Sequence, residues 1–155
     1  MIHFTVPGDP VAKGRPRVVR DGAFTRTFTP KTTVDFENRV RFAAEHAGAR
    51  PLEGPVSMTV TAMFAMPKGR FRKRAPRPAE WKTTKPDLDN LLKSVKDALN
   101  GIAYADDSQV VELHAGKIHA AQGEPARTIV TVEEIAPLSG APRNRGLGSA
   151  RGEEE

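Results

Sequence analysis

Apolar and polar residues alternate at Ile2, Phe4 and Val6, and again over a longer run at Val56, Met58, Val60, Ala62, Phe64 and Met66. A period of two predicts strands with one buried face. Val110 to His119 and Arg127 to Ile135 read as two further strands, joined through a turn containing Gly123 and Pro125. Two other stretches repeat at three and four. Phe36, Val40, Ala43, Ala44 and Ala47 predict a helix from about Thr32 to Ala47, with a Thr32/Asp35 capping-box start and Gly48 as its stop. Leu88, Leu91, Leu92, Val95 and Leu99 predict a second, stopped by Gly101. Near the N-terminus, Val18-Val19-Arg20 and Ala23-Phe24-Thr25 flank Asp21-Gly22, which predicts a small hairpin closed by that dipeptide.

These elements predict an α+β fold: a single domain over residues 1–135, with a mostly antiparallel mixed sheet and two principal helices. The order of strands is not legible. From 136 to 155 the composition shifts to Gly, Pro, Ser, Ala and charge, which predicts a disordered C-terminal tail. A chain of 155 residues can bury a core without covalent staples. The absence of cysteine excludes disulfides, a thiolate nucleophile and a Cys-based zinc site. No apolar run approaches membrane-spanning length and the N-terminus matches no leader or lipidation signal, so a soluble cytoplasmic protein without a membrane partner is expected. The Gly/Pro-rich loop Pro7 to Pro16 lacks a terminal GKS/T and is not a nucleotide P-loop. His3, His46, His114 and His119 form no zincin pattern, and packing accounts for Tyr104.

Charge changes this picture. The chain carries +5 overall, yet residues 68–85 alone carry +7, from Lys68, Arg70, Arg72, Lys73, Arg74, Arg77, Lys82 and Lys85 against Glu80. Such a run is often only a solvated segment. Immediately after it come Asp87 and Asp89, then Lys93 four residues on, then Asp106-Asp107 beyond the second helix. An Asp before a helix is a common N-cap, and Asp-Asp-Ser-Gln makes an ordinary polar turn. Capping needs only one Asp and explains neither the second pair nor the basic approach. In an extended segment Asp87 and Asp89 point the same way, and the strand starting after Asp107 can bring that residue towards them. Three converging carboxylates repel one another unless a hard divalent cation lies between them; all-oxygen ligation suits Mg²⁺, with Mn²⁺ able to substitute. A polyanion is the partner that needs both a positive approach and a bound cation. Trp81, within the basic run, can pack or stack on an exposed base.

The run Asp87-Leu-Asp-Asn-Leu with Lys93, Asp97-Ala-Leu-Asn and Asp106-Asp-Ser-Gln-Val resembles the core motif of the RusA family of Holliday-junction resolvases. Lys13-Gly-Arg-Pro-Arg17 and Phe28-Thr-Pro30 are similar to the opening of its phage-type members. The resemblance implies a RusA-like, Mg²⁺-dependent structure-specific endonuclease, bacterial or phage-encoded, acting as a homodimer on branched DNA such as a four-way junction in recombination and repair. By it, Asp87, Asp89 and Asp107 are the metal-binding and catalytic acids and Lys93 the catalytic lysine, with Asp106 a neighbouring acidic position. The DNA-binding candidates are Lys13, Arg15, Arg17, Arg70, Arg72, Lys73, Arg74 and Lys85. A non-catalytic branched-DNA-binding protein, or a metal nuclease acting on flaps or forks, stands as the alternative.

Overall fold

A computed structural model describes residues 1–139; of the expected tail, everything from residue 140 onward lies outside the described residues. The strands are β1 (Ile2–Pro7), β2 (Arg17–Asp21), β3 (Phe24–Phe28), β4 (Val56–Phe64), β5 (Glu80–Trp81), β6 (Val110–His119) and β7 (Arg127–Glu134); the helices are α1 (Lys31–His46) and α2 (Leu88–Leu99). Five strands form one sheet in the order β1-β7-β4-β6-β5, and β2 pairs with β3 alone. Every neighbouring pair is antiparallel except β4 and β6, which run parallel. The class read from the periodicities is therefore the class found.

The core lies on one face of the sheet. Ile2, Phe4 and Val6 of β1, Met58 and Val60 of β4, and Val130 and Val132 of β7 are buried there with Phe36, Val40 and Ala44 of α1 and Val95, Ala98 and Leu99 of α2. Full burial of each large aliphatic side chain contributes roughly 1.5–3 kcal/mol, which makes this seam the main source of stability. The other face carries the exposed His3, Thr5, Thr59 and His114.

Two local expectations shift. Helix α1 begins at Lys31 behind Pro30, with no side-chain cap. Thr32 and Asp35 form no capping box; instead the neighbouring Thr33 hydroxyl accepts from the Gly14 amide at 3.1 Å and donates to the Ala12 carbonyl at 3.4 Å. The helix still stops at Gly48, where the Gly48 and Ala49 amides bond back to Glu45 and Ala44 in a Schellman arrangement. In the hairpin, Asp21 pairs with Phe24, so the two-residue turn is Gly22-Ala23 rather than Asp21-Gly22. Gly22 has φ +62° and Ala23 is not left-handed, the pattern of a type II′ turn with Gly in its first central place. The basic segment contains a 3₁₀ turn at Lys68–Arg70 and the edge strand β5.

A candidate active site along helix α2

Helix α2 has two stripes. Leu91, Ser94, Val95, Ala98 and Leu99 are buried towards the core. Asp89, Leu92, Lys93, Lys96 and Asp97, spaced by three and four, line an open pocket of about 330 Å³ together with Asp107 and Leu113. The apolar period that forms the helix thus leaves its opposite side to carboxylates and lysines.

Asp87 occupies the N-cap position, but its side chain makes no cap bond. The capping role that its place invites is not used, and the carboxylate is exposed. The second acidic pair divides its work. Asp106 Oδ1 accepts from the Ser108 amide at 2.9 Å, and Gln109 Oε1 accepts from the Ala105 and Asp106 amides at 2.8 and 3.1 Å. The Ser108 bonds, with a contribution from Asp107, hold the Asp106 carboxyl below its ordinary pKa. Gln109 Nε2 also donates to the Leu52 and Gly54 carbonyls at 2.9 and 3.0 Å. This capping box fixes the turn and leaves Asp107 free to face the pocket, where its Oδ2 lies 4.0 Å from Lys96 Nζ.

The predicted acids do not all meet. Asp89 and Asp107 share the pocket, whereas Asp87 is outside its lining. Among the described residues, no three His, Asp or Glu side chains are close enough to enclose an ion. The reason is the direction of travel. A short connection leads from Leu99 to Val110, so β6 starts beside the end of α2 and runs back along it. Asp107 consequently lies against Lys96 in the last turns of α2, whereas Asp87 and Asp89 both stand at its head, Asp89 on the stripe that lines the pocket and Asp87 outside that lining. The donor set nevertheless fits Mg²⁺, which is commonly held by one or two carboxylates plus water and substrate phosphate.

Beneath the pocket Tyr104 is fully buried and donates to the Lys96 carbonyl at 2.8 Å. Burial, reinforced by Asp107 and Asp97, raises its pKa, so it stays a neutral donor. Lys13 is engaged internally, with Nζ 2.6 Å from Glu37 Oε1 and 3.1 Å from Asp97 Oδ2. Burial alone lowers its pKa; the bonds to Glu37 and Asp97 outweigh that and raise it. With Lys13 N bonded to the Asn90 carbonyl at 2.8 Å and Ser94 Oγ to that of Val11 at 2.7 Å, the 11–14 loop is sewn to both helices. Arg15 and Arg17 beyond it are exposed.

The basic segment is held by a residue that no sequence signal marked. Gln122 Oε1 accepts from the Arg72 and Arg77 amides at 2.9 and 3.2 Å, and its Nε2 donates to the Arg72 carbonyl at 2.9 Å. Arg70 pairs with Glu80, while Arg72, Lys73, Arg74 and Lys85 are exposed and have no side-chain partner among the described residues. Trp81 is 76 % exposed on the sheet edge. The spacing from Asp89 could have marked Lys96 and Asp97, since they fall seven and eight residues on along the same helical stripe. A larger apolar groove of about 630 Å³ between β1 and α1 holds His3 and His46 but no carboxylate. No helix among the described residues is long and apolar enough to cross a membrane.

A family model described as "Endodeoxyribonuclease RusA" matches residues 7–133. A Bacillus subtilis (strain 168) protein named "Uncharacterized protein YqaN" is 38 % identical over 141 residues, covering 87 % of this chain and 97 % of its own length. A Lactococcus phage r1t protein named "Crossover junction endodeoxyribonuclease rusA" is 39 % identical over 82 residues, 52 % of this chain and 56 % of that one.

Proposed function

The chain belongs to the RusA family of endodeoxyribonucleases, and from that premise we propose that it is an Mg²⁺-dependent enzyme that resolves four-way DNA junctions by paired phosphodiester hydrolysis in recombination and repair. The observation that carries this reading is the shared pocket of Asp89, Lys93 and Asp107 on the helix that follows a cationic segment in the chain. Asp89 and Asp107, with Asp87 at the head of the helix, would hold the ion. When bound, Mg²⁺ (or Mn²⁺) lowers the pKa of an attacking water and offsets charge on the scissile phosphate. Lys93 supplies a fixed positive charge where negative charge develops on the phosphate or leaving oxygen.

Arg70, Arg72, Lys73, Arg74 and Lys85, with Arg15 and Arg17, hold the flanking backbones, so shape rather than sequence is recognised. Lys13 serves the DNA indirectly, by fastening the loop that carries Arg15 and Arg17 to α1 and α2. Two symmetric cuts call for a homodimer with one pocket per subunit. The outer edge of β6 supports it: only Ile118 and His119 have a β5 partner, and Val111 is 59 % exposed.

Incubation of the protein with a synthetic four-way junction tests the proposal. Paired nicks appear with Mg²⁺ or Mn²⁺, and Asp89→Asn abolishes them while junction binding persists or tightens, because repulsion of phosphate falls. Retardation without nicking in either metal would reassign the chain to a non-catalytic role, and faster cutting of flaps or forks would move the substrate. Wild-type cleavage by Asp89→Asn would remove the pocket from the chemistry.

A further inference from the structure

We propose that Lys117 is a positioning residue for the acid pair Asp87–Asp89, an inference that rests on the nuclease reading of the pocket. Lys117 lies on β6 opposite the buried Ala62 of β4, on the side of the sheet that carries the helices. Its Nζ donates to the carbonyl of Thr84 at 2.7 Å and to that of Pro86 at 2.7 Å. These carbonyls flank Lys85, and that of Pro86 immediately precedes Asp87. One cation thus grips the backbone on both sides of a single residue, with charge-assisted bonds.

Little else holds that turn. Pro86 has no amide proton, and among the described residues the only backbone–backbone bond from 82–86 is Lys82 N to the Lys117 carbonyl, 3.2 Å. Lys82 Nζ reaches the Thr84 hydroxyl at 2.8 Å and sits over the Phe64 ring, 5.1 Å from its centroid, contacts that anchor the Lys82 end of the turn and not its Pro86 end. Since the Asp87 carboxylate makes no cap bond, its direction follows the backbone that Lys117 holds. The same strand begins three residues after Asp107. β6 therefore sets both ends of the acidic site: Asp107 at its start, and the Asp87–Asp89 pair through Lys117 towards its finish. Two of the three ammonium donors are thus directed into the protein's own backbone.

Lys117→Met keeps the length and removes the donors. In the full chain it leaves junction affinity and its salt dependence unchanged in the absence of Mg²⁺. Hydrogen exchange quickens in 82–90 and not in α1 or β7. The single-turnover cleavage rate falls, or the Mg²⁺ concentration for half-maximal cutting rises, by about 10- to 100-fold. Lys117→Arg, which can still bridge two carbonyls, recovers part of the loss. Wild-type exchange together with wild-type Mg²⁺ dependence overturns the proposal. So does a fall of about one unit in the salt slope with exchange unaltered, which makes Lys117 a phosphate contact. Should Lys117→Met not fold, the wild-type protein decides: the Lys117 ammonium gives a protected proton–nitrogen signal if both carbonyls hold it, and no signal if they do not. If the wild type cuts no branched DNA while Lys117→Met still loosens 82–90, the nuclease reading fails and the tether stands.

Discussion

The β2–β3 hairpin and the 68–85 segment are both cationic and both project arginines, yet they are built in opposite ways. The hairpin is regular, with a full antiparallel ladder, but all ten of its strand residues are exposed and neither face is covered by the body of the protein. The 68–85 segment has almost no ladder, only Glu80 and Trp81 against His119 and Ile118. It is pinned instead by side chains from elsewhere: Gln122 closes 72–77, Arg77 Nε bonds the Arg70 carbonyl at 2.8 Å, and Lys117 grips 84–86. The loop that Gln122 closes contains Ala75 at φ +52°, a conformation that costs an L-residue roughly 1–2 kcal/mol. Regular secondary structure is therefore a poor guide to rigidity here; an isolated two-stranded hairpin is marginal in water, whereas an irregular loop with long-range anchors is preorganised.

Three changes break or sharpen that contrast. The largest effect comes from removing charge where it is already held in place. Arg72, Lys73 and Arg74 together changed to Ala should weaken junction binding by about two orders of magnitude near 0.1 M salt and reduce the salt slope by nearly three, at about 0.9 per lost phosphate contact. An unaltered slope would mean the arm is not on the DNA. Gln122→Ala keeps every cation but removes the anchor. Binding should fall about tenfold, equivalent to 1.4 kcal/mol of ordering deferred to the encounter, with the slope unchanged; filter binding over a salt series separates the two. The smallest effect is expected at Gly22→Val, which strains the φ +62° turn. Because no core residue depends on the hairpin, the thermal midpoint should not move, while exchange of the β2–β3 amides quickens. A drop of several degrees would show the hairpin to be part of the cooperative unit.

Much of this molecule was legible from local pattern. Period-two runs located β1 and β4, and the three-four spacing of Leu88 to Leu99 located α2, because burial of one face imposes those periods; β6 and β7 also fall where strands were expected. The acids and lysines of the site stood on the page for the same reason: α2 must turn its non-core stripe outward, and Asp89 and Lys93 lie on it. The turn at Gly22-Ala23 and the start of α1 were displaced because short-range chemistry there is ambiguous. Asp-Gly and Gly-Ala both close a hairpin, and α1 starts at Lys31 directly behind Pro30, ahead of Thr32, so that residue is not at the cap.

What the chain alone determined, then, is which residues are apolar in rhythm and which carry the chemistry, together with the family that their order identifies. Tertiary structure decided the rest: that β6 returns antiparallel to α2 and carries Asp107 to the helix end rather than its head, that Lys13 is neutralised by Glu37 and Asp97, and that Lys117 and Gln122 hold the basic approach. Those outcomes depend on contacts between residues 24 to 84 positions apart in sequence for Lys13, and about 30 to 50 apart for Lys117 and Gln122. Periodicity is a property of neighbours along the chain, and a hydrogen bond made across the fold leaves no trace in it.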